Sequence, residues 1–232
     1  MEEMRDASLE LLVELARPTS HDTVLDYASG AGMAGFAVAP DVRTVEAADE
    51  LPDMLDEGRR LADELGLVNV AFRLVDLYVL PYDSGAFSLV VCRNAFHLLP
   101  EPVAALAELR RVTSAGGRLV LLDAVVDELT DKAFNDIARL REPAHRRHYF
   151  EQQIDDLVAQ AGLQVTQRGR LRRTIDLDYW LQTAAVPAAK AGLIRGRFKE
   201  LPVDVQARMD IAFSDRQVSF SYDLVGLRLE RA

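Results

Sequence analysis

Short apolar runs recur along the chain, separated by longer amphipathic stretches. This alternation is the signature of a mostly parallel sheet with helices on both faces. The predicted strands are 23–27, 43–48, 70–75, 87–92 and 118–124. Between them the helix signals are explicit. Pro52 stands at a first-turn position, Leu55, Leu61 and Leu65 form a helical stripe, and Gly66 can take the left-handed conformation that ends it. Likewise Pro102 opens a helix with Val103, Leu106, Leu109 and Val112 on one face, which Gly116 and Gly117 are expected to close.

Beyond residue 126 the alternation loosens. A helix is expected over 130–140, an amphipathic one over 150–161 through Phe150, Ile154, Leu157, Val158 and Ala161, and a strand over 163–174 after Gly162. Residues 178–209 carry no strand pattern and divide into two or three helices at Pro187 and Pro202. A last strand lies within 217–229, where Val218, Phe220, Tyr222 and Leu224 alternate. We therefore expect one domain over 1–232, with a core over 1–127 and a second half over 128–232 that carries a helical cap at about 176–212. No internal repeat or low-complexity segment interrupts it.

Composition narrows the function classes. The 232 residues are 49% hydrophobic with a net charge of −10, enough apolar content for a sizeable core and not the bias of a disordered chain. Residues 1–100 hold 18 acids against 7 bases and so carry nearly all the excess, which would repel a phosphate backbone; no nucleic-acid partner is expected. Cys92 is the single cysteine, residues 1–14 are charged throughout, and the best apolar run, 119–126, is interrupted by Asp123. These features point to a reduced, cytoplasmic setting without a signal peptide or membrane insertion. A homodimer is left open.

The chemistry-bearing segment follows the first strand: Asp26-Tyr27-Ala28-Ser29-Gly30-Ala31-Gly32, with Gly35 next. Gly30, Gly32 and Gly35 satisfy G-x-G-x-x-G, and Asp49 follows 19 residues after Gly30, where an acid that accepts from a ribose is expected. Such a loop serves dinucleotides or S-adenosylmethionine. Asp26 separates the two, because a carboxylate near the loop repels a pyrophosphate and favours an ammonium and a sulfonium. Asp49 and Asp76 add two further strand-end acids, suited to ribose hydroxyls and to an adenine amino group, with Leu77 placed to pack on the ring. Each acid taken singly also fits a helix cap or a turn.

Together, Val24-Leu25-Asp26-Tyr27-Ala28-Ser29-Gly30-Ala31-Gly32, Asp49 before Leu51-Pro52-Asp53-Met54-Leu55, Asp76, Arg93-Asn94-Ala95-Phe96-His97-Leu98-Leu99-Pro100 and Gly116-Gly117-Arg118-Leu119 resemble the class I S-adenosylmethionine-dependent methyltransferases. The likeness is to the small-molecule branch similar to ubiquinone and menaquinone biosynthesis enzymes, and spans about residues 10–170. It implies a Rossmann-like α/β fold with a seven-stranded, mostly parallel sheet, an antiparallel last strand, and the cofactor at the carboxyl ends of the strands. Carried onto this chain, the cofactor-binding residues are Asp26, Tyr27, Ala28, Gly30, Gly32, Asp49, Glu50, Met54, Asp76, Leu77, Arg93 and Asn94. The implied reaction is methyl transfer to carbon, oxygen or nitrogen of a small organic acceptor, leaving S-adenosylhomocysteine.

Where the family usually shows Phe-Asp before the fourth strand, this chain has Phe87-Ser88. That loss would disturb the methionine end and leaves open a relative that binds the cofactor without transferring methyl; a nicotinamide-dependent oxidoreductase is the remaining alternative. If the acceptor arrives protonated, a base is needed, and the candidates are His97 after the fourth strand and His145, which stands in Leu140-Arg141-Glu142-Pro143-Ala144-His145, similar to an Arg-Asp-Pro-Ser-His stretch of relatives. His148, with Tyr149, is the alternative base candidate in the same segment, which is expected to be helical. His145 and His148 alone lack a third ligand, so no metal is expected. Tyr179, Trp180, Phe198 and Phe213 are the aromatic candidates for a cap over a planar acceptor, and Arg168, Arg170 and Arg172 share a strand face that an anion or a partner could use.

Overall fold

A computed structural model of the protein describes residues 6–214 and 217–232; the first five residues of the charged N-terminal stretch lie outside it. Along the chain it places α1 (Ala7–Ala16), β1 (Thr23–Tyr27), α2 (Met33–Val38), β2 (Thr44–Asp49), α3 (Pro52–Leu65), β3 (Val70–Leu74) and β4 (Phe87–Arg93). Then follow α4 (Pro102–Val112), β5 (Thr113–Val125), α5 (Asp131–Arg141), α6 (Glu151–Gln160) and β6 (Leu163–Asp176). Three helices, α7 (Leu177–Gln182), α8 (Ala188–Glu200) and α9 (Val203–Arg208), precede β7 (Ala212–Phe213) and β8 (Val218–Arg231).

The sheet runs β3-β2-β1-β4-β5-β8-β6, with β1 to β5 parallel and β8 antiparallel to both β5 and β6. This is the predicted seven-stranded sheet with a reversed last strand. The two-residue β7 adds an eighth strand on β8, which the sequence pattern did not show. Side-chain alternation splits the core into two layers. Val24, Val45, Leu89, Val91, Val120 and Leu122 face α1, α2, α5 and the cap helices. Their sequence neighbours Leu25, Val90, Cys92, Leu119 and Leu121 face α4 and α6.

The helix opened by Pro102 is not closed by the glycine pair. It stops at Val112, and Thr113 already begins β5 by pairing with Phe87. Gly116 sits at φ 74°, and a Cβ on Gly117 would stand 2.8 Å from Ser114 Oγ, so the pair serves a tight curl at the start of the strand. Gly66 does end α3, at φ 68°.

The strand order turns outward in opposite directions from β1 and β4, which makes the carboxyl ends of these two strands a topological switch point. Open α/β sheets form their ligand crevice there. Ala28 at the tip of β1 and Asn94 at the tip of β4 both adopt positive φ, 51° and 53°. Arg17, Ala185 and Asp210 share this conformation elsewhere, but only Ala28 and Asn94 place it at the switch point.

Candidate active site

The glycine loop is built around two carboxylates. Asp49 sits at the end of β2 and accepts from Gly30 N–H through Oδ2 at 2.7 Å and from Leu51 N–H through Oδ1 at 2.9 Å. Gly30 and Gly32 take φ of 55° and 88°, and a Cβ on Gly32 would press to 3.0 Å from the Phe36 ring. Glycine is therefore required where α2 begins. Two of the roughly four acceptor positions of the Asp49 carboxylate remain for a ligand's hydroxyls, so the cradle fits a ribose.

Asp26 has a different neighbour from the cationic cofactor that the sequence argument invoked. It lies beneath the loop, 1% exposed, accepting from Gly35 N–H at 2.7 Å. Burial pushes its pKa up to about 7, against the Gly35 hydrogen bond and the Arg93 charge, which favour ionisation. A Cβ on Gly35 would come within 2.9 Å of this carboxylate, which explains the third glycine of the motif.

The other expected cofactor residues ring the same strand ends. Tyr27 is fully buried and donates its hydroxyl to the Leu77 carbonyl at 3.0 Å, while the Leu77 side chain belongs to the core. Asp76 is exposed and accepts from Tyr78 N–H; Glu50 is exposed beside Asp49. Arg93 pairs with Asp6 of the α1 cap at 2.6 Å and donates to Ser8 Oγ, and Arg173 reaches the same Asp6 carboxylate at 3.2 Å.

A cavity of about 610 Å³ opens beside the loop. Of the sequence-predicted residues it takes in Met54, Arg93, Asn94, His97, His145, His148, Tyr179 and Trp180, and it adds Asp123, Phe134 and Arg141. The remaining cofactor residues stand outside its lining, in the loop and strand ends that border it. His97 is fixed by Asp123 of β5: ring Nδ1 donates to the carboxylate at 2.7 Å, and His97 N–H donates to Oδ2 at 3.0 Å. Burial works against the imidazolium, but the Asp123 charge and hydrogen bond outweigh it and raise the His97 pKa.

His145 and His148 lie in the irregular stretch between α5 and α6, not on a helix. The His97 carbonyl accepts from Arg146 N–H and Arg147 N–H at 2.9 and 3.1 Å and so pins this stretch over the end of β4. Asn135 of α5 secures the other side, its Oδ1 accepting from His145 Nε2 at 2.8 Å and from His148 N–H at 2.7 Å. Burial and the neighbouring His97 push the pKa of His145 down to about 4, and burial drives that of His148 well below its ordinary value. The third and fourth candidate ligands that spacing did not reveal, His97 and Asp123, stand beside this pair.

Three other expectations change. Ser88 lies at the amino end of β4, away from the cavity, donating to Asp22 Oδ1 at 2.7 Å; Asp22 in turn holds Arg118. Its difference from the family pattern therefore does not touch the methionine end. Arg168 and Arg170 are paired with Glu151 and Asp155, and Arg172 with Asp210 and Asp223, so this face is neutralised internally. Of the cap aromatics only Tyr179 and Trp180 line the cavity; Phe198 is core, and Phe213 is exposed on β7. Phe134, which stacks on His148 at 4.9 Å, was not singled out because its apolar helix position resembles any core residue.

Comparison with known proteins agrees with this geometry. A methyltransferase domain family matches residues 18–171. The chain is 30% identical over 184 residues to the uncharacterised methyltransferase YcgJ of Bacillus subtilis, covering 78% of this chain and 72% of that protein. The crystal structure of YcgJ superposes with a TM-score of 0.86 at 25% identity, over 97% of this chain and 99% of that one. A demethylmenaquinone methyltransferase of Thermus thermophilus is 38% identical over 114 residues, 48% of this chain and 51% of that protein. A geranyl diphosphate methyltransferase in complex with S-adenosylmethionine shares the fold, with a TM-score of 0.66 at 19% identity over 97% of this chain and 85% of that one. With its glycine cradle at the switch point of a reversed-strand sheet, the chain belongs to the class I S-adenosylmethionine-dependent methyltransferases.

Proposed function

We propose that this methyltransferase acts on a small organic molecule held between the glycine loop and the histidine cluster. The observation that carries the reading is the cavity itself, which passes from Ala31 and Met54 beside the loop to His97 and His145 beneath the cap. Its size suits a compact acceptor next to a bound cofactor, and the relatives named for demethylmenaquinone methylation act on a small molecule.

Bound S-adenosylmethionine supplies a methyl group already activated by the sulfonium, so transfer is an in-line displacement whose rate comes largely from placement. The chain's own residues provide that placement. In this reading Asp49 receives the ribose hydroxyls on its remaining lone pairs, and Asp76 accepts from the adenine amino group. Arg93 and Asn94 border the methionine end. Asp123 occupies Nδ1 of His97 and thereby presents the opposite ring nitrogen to the acceptor. His145 spends Nε2 on Asn135 and serves to position its neighbours.

The test is calorimetric titration with S-adenosylmethionine, S-adenosylhomocysteine and NADH, followed by methyl-labelled transfer assays on quinols, phenols and amines. Binding of the first two ligands without the third, and label in a small acceptor, are expected. Asp49→Ala should weaken S-adenosylhomocysteine binding by about 1–3 kcal/mol, the cost of leaving ribose donors without their charged partner; unchanged affinity would remove Asp49 from the ribose site. Labelling of protein or nucleic acid with none of the small acceptors would overturn the substrate class.

A further inference from the structure

His97, Asp123, His145 and His148 come from three separate stretches of chain and converge at the cap end of the cavity. The three imidazole rings lie 4.6 to 5.4 Å apart, centroid to centroid. One donor atom each from His97, Asp123 and His148 lies within 4.8 Å of the other two. Ligands around a tetrahedral zinc, with bonds of about 2.1 Å, stand about 3.4 Å from one another. Rotations that move each donor by less than about 1 Å would therefore bring the set onto one ion.

The state of the side chains favours a metal over simple packing. His148 is 5% exposed, and its Nδ1 is buried with no hydrogen-bond partner among the described residues. A phenylalanine would give the same stack on Phe134 without an orphaned nitrogen. Asp123 supplies the one anionic group of the cluster, and an ion shared with His97 would take the place of the hydrogen bond now made between His97 Nδ1 and that carboxylate. The adjacent Arg141 guanidinium is directed elsewhere, donating to the Trp180 carbonyl and Thr183 Oγ1 and pairing with Glu142.

We infer that His97, Asp123 and His148, with His145 alongside, bind one divalent transition-metal ion at the acceptor end of the cavity. A mixed imidazole and carboxylate donor set suits zinc and its first-row neighbours and is a poor match for magnesium or calcium, which prefer oxygen alone. The consequence for catalysis rests on the methyl-transfer reading above; the binding of the ion does not. The ion would take the acceptor's oxygen or nitrogen and lower its pKa, with the acceptor proton passing to solvent. The lone pair so exposed forms the new bond to the methyl carbon as the carbon–sulfur bond breaks, and that electron pair remains on the thioether sulfur of S-adenosylhomocysteine.

The experiment uses the full chain stripped with a chelator, titrated with zinc chloride by calorimetry and with cobalt(II) by visible absorption. One ion per chain and a tetrahedral or five-coordinate cobalt spectrum are expected. His148→Phe, which keeps the stack on Phe134, should weaken zinc binding by at least about 100-fold, and Asp123→Asn by about 10- to 100-fold. His21→Ala, at an exposed histidine remote from the cluster, should leave it unchanged. Retained S-adenosylhomocysteine binding by His148→Phe reports that the variant is folded. No zinc bound by the stripped wild type, or equal affinity in His148→Phe, overturns the site. Methyl transfer undiminished by chelator overturns the ion's role in the reaction, whereas zinc binding by a chain that methylates no small acceptor upholds the site and sinks the substrate reading.

Discussion

A carboxylate sealed beneath a glycine loop has two ways to survive without solvent, a cation or a proton, and burial tilts Asp26 towards the proton. Its pKa of about 7 in the folded chain stands against 3.8 for the ordinary group, with burial as the cause. Because the folded-state value is raised, the stabilisation from this group is complete below pH about 4 and is lost as pH climbs through about 7. Asp26→Asn keeps an acceptor oxygen for Gly35 N–H and removes the titration. Its stability in urea, relative to wild type, should therefore rise from acid to neutral pH by up to roughly 4 kcal/mol. Parallel pH profiles for the two proteins would place Asp26 in contact with solvent or a cation. The residue's place in the motif was legible in the sequence, but its burial was not, since spacing along a strand carries no information on how much chain lies above it.

At the scale of elements, the base of the sheet and its carboxyl end are independent devices. Arg118 of β5 donates from both Nη atoms to Asp22 ahead of β1, at 2.9 and 2.8 Å, and also binds the Arg17 carbonyl after α1. Both partners are nearly buried, with side chains 11% and 5% exposed. Although burial disfavours the Asp22 charge, the hydrogen bonds from Arg118, Ser88 and Thr19 hold its pKa well below the usual carboxylate range. Arg118→Ala should cost about 3–5 kcal/mol in urea or thermal unfolding by stranding that carboxylate. S-adenosylhomocysteine affinity should stay near wild type, because the clamp is at the amino ends of the strands, opposite the glycine loop; a large loss would tie the two ends together. Elements with local signals were read correctly: Pro52 and Gly66 bound α3, and Pro187 and Pro202 separate the cap helices. Gly116 and Gly117 misled because a glycine pair after a helix fits a cap as well as a curled strand entry, and only pairing of Thr113 with Phe87 decides between them.

For the whole molecule, the cap joins the acceptor end of the cavity to the core. Trp180, the single tryptophan, lies 4.6 Å from the Arg141 guanidinium, stacks near Phe134 and contacts Phe220, and also lines the cavity. Its emission should therefore report the acceptor: addition of a turned-over acceptor to the S-adenosylhomocysteine complex should quench or shift it, while S-adenosylhomocysteine alone should change it less. A saturating acceptor with no effect on this emission would locate the acceptor away from the cap. Among the described residues no helix is long and apolar enough to cross a membrane. The acidic excess of residues 1–100 gives the cofactor half a negative field that disfavours a polyanion.

The sequence by itself determined what is local: the order of strands and helices, and the β1–loop–α2 cradle, whose three glycines, Asp26 and Tyr27 lie within ten residues and answer to backbone sterics that no distant contact can replace. Asp49 could be placed beside that loop from spacing alone, and the structure shows it holding the loop through Gly30 N–H. What only the tertiary structure decided is the far end of the cavity. His97, Asp123 and His148 follow or end different elements, and their meeting is set by β4 pairing with β5 and by the His97 carbonyl capturing the stretch after α5. Those contacts follow from the order in which strands assemble, and the order leaves no periodicity or spacing in the chain from which it could be read.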